Sequence, residues 1–120
     1  MTYRVLVIDD LRSFRDERVE AEVTYARTSA EALEILNDGT SYDEIWFDHD
    51  LGMIDDDRVD STMPVVDFLS EMSFNDTPYP VDTVLVHTSN PVGRDNIIRS
   101  LSRWGYNIKS VPADDYFVGS

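Results

Sequence analysis

The chain has 120 residues, no cysteine and a formal charge of −14. This length allows one domain over residues 1–120, and the missing cysteines exclude a disulfide framework and a thiolate metal site. The charge repels long duplex nucleic acid and anionic membranes, and no apolar run approaches the roughly 20 residues of a membrane span.

The start, Met1-Thr2-Tyr3-Arg4-Val5, runs directly into a strand pattern, so no signal peptide is expected and the expected location is cytoplasmic. Tyr3 to Ile8 reads as a buried strand that ends in Asp9-Asp10. Leu11 to Glu20 is charged and weakly periodic, which predicts a loop or a single helical turn. Ala21 to Ala26 reads as a second strand. Ser29 is expected to cap a helix carrying Ala32, Leu33, Ile35 and Leu36, ended by Asn37-Asp38-Gly39.

Tyr42 to Asp48 reads as the third strand, with His49-Asp50-Leu51-Gly52 leaving its end. Met53 to Thr62, which holds Asp55-Asp56-Asp57 and Asp60, is expected to be a mobile, solvated loop. It lacks the glycine and glutamate of an EF-hand. Pro64 opens a helix with Val65, Val66, Phe68, Leu69 and Met72 on its apolar side. Val81 to Val86 reads as a fourth strand, followed by His87-Thr88-Ser89. Asn90-Pro91 is a cap with proline at the first helical position, and Ile97, Ile98, Leu101 and Trp104 carry the helix that Gly105 stops. Tyr106 to Val111 reads as a fifth strand, and Ala113 to Ser120 allow at most one helical turn. Strands alternating with helices predict a parallel sheet covered on both faces.

Open α/β sheets bind ligands beyond the carboxyl ends of their strands. Polar residues collect there: Asp9 and Asp10, then Asp48, His49 and Asp50, then His87, Thr88, Ser89 and Asn90. Carboxylates brought together need a cation or raised pKa values to coexist, and Mg²⁺ or Mn²⁺ suits hard oxygen ligands. Asp9, Asp10 and Asp48 are the expected metal ligands, with Asp50 joining them or orienting His49. His49 and His87, the two histidines, are candidates for acid–base work. The helix opened by Asn90-Pro91-Val92-Gly93-Arg94 offers free amides to a phosphate. Arg12 and Arg94 can add bidentate contacts, although surface ion pairs account equally well for Arg94.

The layout resembles the receiver domain of response regulators, with Asp9-Asp10 at the acidic metal site, Asp48 at the phosphate-accepting aspartate and Thr88 near the hydroxyl after the fourth strand. It departs from that pattern in two places. Val111-Pro112 stands where receivers have lysine–proline, with Lys109 inside the strand, and the first helix is shortened or missing. A closer resemblance is to the cyclic-phosphate processing receiver domain family of bacteria and phages. It rests on Asp9-Asp10-Leu11-Arg12, Phe47-Asp48-His49-Asp50-Leu51-Gly52 and His87-Thr88-Ser89-Asn90-Pro91-Val92-Gly93, where Thr88 replaces the usual serine by another hydroxyl.

The resemblance implies a receiver-like, flavodoxin-like doubly wound sheet of five parallel strands in the order 2-1-3-4-5. It implies a phosphoesterase that opens cyclic phosphates, either an RNA 2′,3′-cyclic end or a cyclic nucleotide. In that reading Asp48, His49 and His87 are catalytic, and Arg12, Thr88, Ser89, Asn90, Gly93 and Arg94 hold the phosphate. If phage-encoded, the protein would work in the host cytoplasm. The alternatives are a non-enzymatic module that binds a nucleotide, a protein partner or a second copy, and a receiver phosphorylated on Asp48.

Overall fold

A computed structural model describes residues 2–119. Its main sheet has five parallel strands: β1 (Tyr3–Ile8), β3 (Ala21–Ala26), β4 (Glu44–Phe47), β7 (Thr83–Val86) and β8 (Ile108–Ser110). They lie in the order β3-β1-β4-β7-β8. Counting the strands of this sheet alone, the order is 2-1-3-4-5. The intervening labels belong to short ribbons outside it: β2 (Ser13–Phe14), β5 (Asp50–Met53), β6 (Val59–Ser61) and β9 (Phe117–Val118).

Side chains alternate across each strand, and the two faces of the sheet are covered differently. Leu6, Ile8, Ile45, Phe47, Val84 and Val86 are buried beneath three helices: α1 (Ser29–Leu36), α2 (Met63–Phe74) and α3 (Pro91–Ser102). The helices contribute Ala32 and Leu36, Val65, Val66 and Leu69, and Ile97 and Leu101 to that core, and α2 contacts both of the others. On the opposite face Val5, Val7 and Trp46 are covered by the antiparallel β2–β9 ribbon. Phe14 and Phe117 stack at 4.7 Å, and each meets Trp46 edge-on at 5.2 and 5.3 Å.

Both faces are covered, as expected, but only one of them by helices. The segments that would supply a second helical layer, 9–20 and 111–119, are too short and too polar, so two phenylalanines do the covering. The stretch Leu11–Glu20 therefore holds strand β2, and the final residues form a short 3₁₀ turn, Ala113–Asp115, followed by β9.

Two local expectations also change. The expected loop after Met53 is the β5–β6 hairpin, and Asp60, expected to be solvated, is buried. Its carboxylate accepts hydrogen bonds from the Ser29 amide (2.8 Å) and hydroxyl (2.5 Å), tying the hairpin to the start of α1. With Ser29 engaged there, the cap of α1 is Thr28, whose hydroxyl accepts from the Glu31 amide at 3.0 Å. At α3 the expected cap stands: Asn90 Oδ1 accepts from the Gly93 amide at 3.0 Å, with Pro91 at the first helical position.

Candidate functional site

Backbone pairing runs one residue beyond the strands and fixes the starting points of the site. The amides of Asp9, Asp48 and His87 donate to the carbonyls of Ala26, Ile8 and Phe47 at 3.1, 2.9 and 3.0 Å. Asp9, Asp48 and His87 are all buried.

Asp9 is held on every side. Its Oδ1 accepts from the amides of Leu11 (2.9 Å) and Arg12 (2.8 Å), and its Oδ2 lies 2.9 Å from His87 Nε2. Burial alone would raise its pKa, but these hydrogen bonds outweigh burial and hold the carboxyl below its ordinary value. The ionised carboxylate accepts, so His87 Nε2 carries the proton. Its Nδ1 is buried and has no hydrogen-bond partner among the described residues.

Asp48 is pushed the other way, by burial and then by the charge on Asp9, against a hydrogen bond from the Thr88 hydroxyl. Asp10 is raised by partial burial and by the same neighbouring charge. Carboxylate oxygens of Asp9, Asp10 and Asp48 lie within 4.8 Å of one another. Burial first, and the charge of a close neighbour second, disfavour ionisation of Asp48 and Asp10, and a hard divalent cation would offset both effects. Arg12 partly offsets that charge, with NH1 3.8 Å from Asp9 and 3.9 Å from Asp48.

The two histidines have different environments. His87 is fully buried and stands 4.4 Å from the Phe117 ring, centroid to centroid. Expected as an acid–base group, His87 uses Nε2 to hold Asp9, keeps Nδ1 buried, and lines a cavity at the strand ends. His49 keeps some exposure, and its Nδ1 lies 3.0 Å from Asp50 Oδ1. Asp50 Oδ2 accepts from Asn90 Nδ2 at 3.1 Å, and the His49 bond is the main cause of the lowered Asp50 pKa. The Asp50 carboxylate, as an acceptor, orients the imidazole through Nδ1.

Gly93 has a role that spacing alone does not reveal. A Cβ there would lie 2.6 and 2.8 Å from Cδ2 and Cβ of His49, and nearer still to Cγ. The glycine is the seat of the His49 ring, and its amide is already used by Asn90. Expected to meet a phosphate, Asn90 and Gly93 have internal partners here: Asn90 Nδ2 donates to Asp50, and its Oδ1 accepts from the Gly93 amide.

Arg27 is a residue missed by the sequence reading. Its guanidinium donates to the carbonyls of Asp9 (3.1 Å) and Arg12 (2.6 Å) and to the Ser13 hydroxyl (3.0 Å), pinning the loop that carries the acidic pair. Its position just past the end of β3, on the rim that gathers the other polar groups, was the available signal.

Two cavities open side by side at the strand ends. One, of about 250 Å³, is lined by Asp9, Asp10, Asp48 and Asp50 with Leu11, Arg12 and Gly52. Gly52 adopts φ +80°, and a Cβ there would stand 3.0 Å from Asp10 Oδ2, so glycine brings the hairpin against the carboxylates. The other cavity, about 460 Å³, brings together Arg12, Arg94, Thr88 and Ser89 over the His87 floor, with Ala113 and Asp114 opposite. Arg12 lines both.

A parallel sheet in this order, with an acidic cluster, a strand-end hydroxyl and flanking cations at its carboxyl rim, defines a receiver-like α/β domain. The family model described as the cyclic-phosphate processing receiver domain matches residues 4–103 of the 120. The chain belongs to that family. No curated protein and no solved structure matches it. Among the described residues no helix is long and apolar enough to cross a membrane.

Proposed function

We propose that this domain is a phosphoesterase that opens a small cyclic phosphate, such as a 2′,3′-cyclic RNA end or a cyclic nucleotide. The observation that carries the reading is the pair of adjoining cavities, one anionic and one lined by guanidinium and hydroxyl groups, with Arg12 on the wall of both. The phosphate oxygens sit among Arg12, Arg94, Thr88 and Ser89, where charge-assisted donors meet them. Asp10 and Asp48, with Asp9 behind them, are the residues that would hold Mg²⁺ or Mn²⁺. Such an ion supplies charge neutralisation at phosphorus and a lowered pKa for water. His49 Nε2 takes a proton as water attacks phosphorus. The imidazolium then returns it to the ribose oxygen released when the ring P–O bond breaks. His87 acts through Asp9 and is a positioning residue.

A second reading, binding without turnover, is favoured by the closure of His87 and by the internal engagement of both Asp9 oxygens. One experiment separates the two. The protein is incubated with 2′,3′-cyclic and 3′,5′-cyclic nucleotides and a cyclic-phosphate-ended RNA, with Mg²⁺, Mn²⁺ or EDTA, and products are resolved by chromatography. Product that disappears in Asp48→Ala and His49→Ala supports the esterase. Retained ligand without product supports the binding module and overturns the esterase.

A further inference from the structure

The face of the sheet without helices holds a third cavity, about 490 Å³, whose lining includes Trp46, Tyr116, Tyr3, Leu85, Thr83 and Lys109. We propose that it is a nucleobase subsite, which takes the base of the nucleotide whose phosphate occupies the neighbouring rim cavity. This inference rests on the phosphate assignment made above.

Three observations carry it. The first is continuity. Ala113 and Asp114 line the phosphate cavity, and Asp115 and Tyr116 line the aromatic one, so the single turn Ala113–Asp115 divides them. A 3₁₀ turn of three residues extends about 6 Å, the scale of one ribose.

The second is lining chemistry. Tyr116 is 42% exposed and leans on Trp46 at 5.2 Å, which presents a ring held from behind for stacking. Lys109, the chain's only lysine, takes part in no ion pair among the described residues. It is a charged donor for the acceptor atoms of a base. The volume lies within the roughly 300–1,000 Å³ of small-molecule sites.

The third observation excludes a different occupant. A docked apolar helix face would bury Lys109 and the Thr83 hydroxyl without partners, at the cost of unpaired polar groups. Among the other charged lining residues, Glu44 and Arg18 are paired with each other, while Asp16 and Asp115 take part in no ion pair among the described residues. Glu44 accepts from Tyr3 OH (2.5 Å), Trp46 Nε1 (2.8 Å) and Arg18 (3.3 and 3.4 Å). The remaining need is for a planar, neutral ring with hydrogen-bonding edges.

The test measures binding by tryptophan fluorescence in a Trp104→Phe background, which leaves Trp46 as the sole reporter. The probes are adenosine 2′,3′-cyclic phosphate, ribose 2,3-cyclic phosphate without a base, and a trinucleotide ending in a 2′,3′-cyclic phosphate. The nucleotide should bind roughly five- to a hundredfold more tightly than the ribose compound, the range of one stacked base. Tyr116→Ala should erase that difference and leave the ribose compound's affinity unchanged. Lys109→Ala, a surface change that spares Trp46 packing, should weaken the nucleotide about three- to tenfold.

Equal affinity for nucleotide and ribose compound overturns the base subsite and leaves the phosphate reading intact. Loss of all binding in Arg94→Ala, with no base preference before that substitution, likewise overturns the base subsite alone. No binding of any probe overturns both. Comparison of the mononucleotide with the trinucleotide distinguishes a free nucleotide from an RNA end as the source of the base.

Discussion

Replacing Gly93 by alanine tests whether the glycine exists to seat His49. The added methyl would lie 2.6 and 2.8 Å from two His49 carbons, against an ordinary carbon contact of about 3.5–4.0 Å, so the ring or the first turn of α3 must shift by about 1 Å. Overpacking of this kind costs about 1–3 kcal/mol. The alanine returns up to about 1 kcal/mol through helix propensity, for a net loss of up to about 2 kcal/mol. At about 4 °C per kcal/mol for a domain of this size, Tm should fall by up to about 8 °C. In a His49→Gly background, which removes the Cβ, Cγ and Cδ2 that the methyl would meet, the clash is absent and the same change should raise Tm by about 4 °C, so the two substitutions are coupled. Thermal melts of the four proteins, with the His49 imidazole NMR resonances, measure both. An equal shift in the two backgrounds would refute the seating argument. If His49 transfers the proton, the displaced ring should also cost on the order of 100-fold in turnover.

Other perturbations address separate parts of the fold. Asp60→Ala leaves the Ser29 amide and hydroxyl without their acceptor, and urea unfolding should show a loss of about 2–3 kcal/mol; a loss below about 0.5 would make Asp60 incidental. Phe117→Ala removes the stacked partner of Phe14 and the edge contact to Trp46, and should cost about 3–5 kcal/mol by the same measurement. The raised Asp48 pKa has a defined sign. Its contribution to stability is complete below the ordinary carboxylate range and is lost as pH rises through the raised value. Asp48→Asn should therefore raise Tm at pH 7 and reduce the gain seen on acidification to about pH 5, the lower end of the range where carboxylates stay ionised when unperturbed; a lower Tm at pH 7 would count against burial of the charge beside Asp9 as the cause.

The main sheet was legible because its strands are continuous apolar runs, such as Val5-Leu6-Val7-Ile8, that end in charged or polar residues. The acidic cluster was legible for the same reason: Asp9, Asp10 and Asp48 follow such runs at adjoining strands. Strands β2 and β9 were not, because two residues carry no period, and Phe14 and Phe117 gain their meaning only from meeting across most of the chain. The β5–β6 hairpin was masked by the acidic composition of its turn, although Val59-Asp60-Ser61 places a buried aspartate in an otherwise exposed run. Composition treats every aspartate alike, and only the Ser29 contact distinguishes Asp60 from Asp55–Asp57. The different environments of His87 and His49 were hidden too, since both follow apolar strands, and only tertiary contacts close one ring and leave the other accessible.

The β2–β9 ribbon has a consequence for how this protein is made and handled. The loop bearing Asp10 and Arg12 leads directly into β2, whose partner strand lies about a hundred residues later, a non-local closure that carries a large loop entropy and forms late. During synthesis the anionic rim therefore stays unfinished until the final strand has left the ribosome, however early the helices assemble. Gly119 ends up 3.1 Å, measured from its would-be Cβ, from the Leu11 carbonyl. A fluorophore carried at Gly119 would sit beside the loop that bears Asp10 and Arg12, whereas one at Thr2 would sit at the far end of β1, about 20 Å away along the strand.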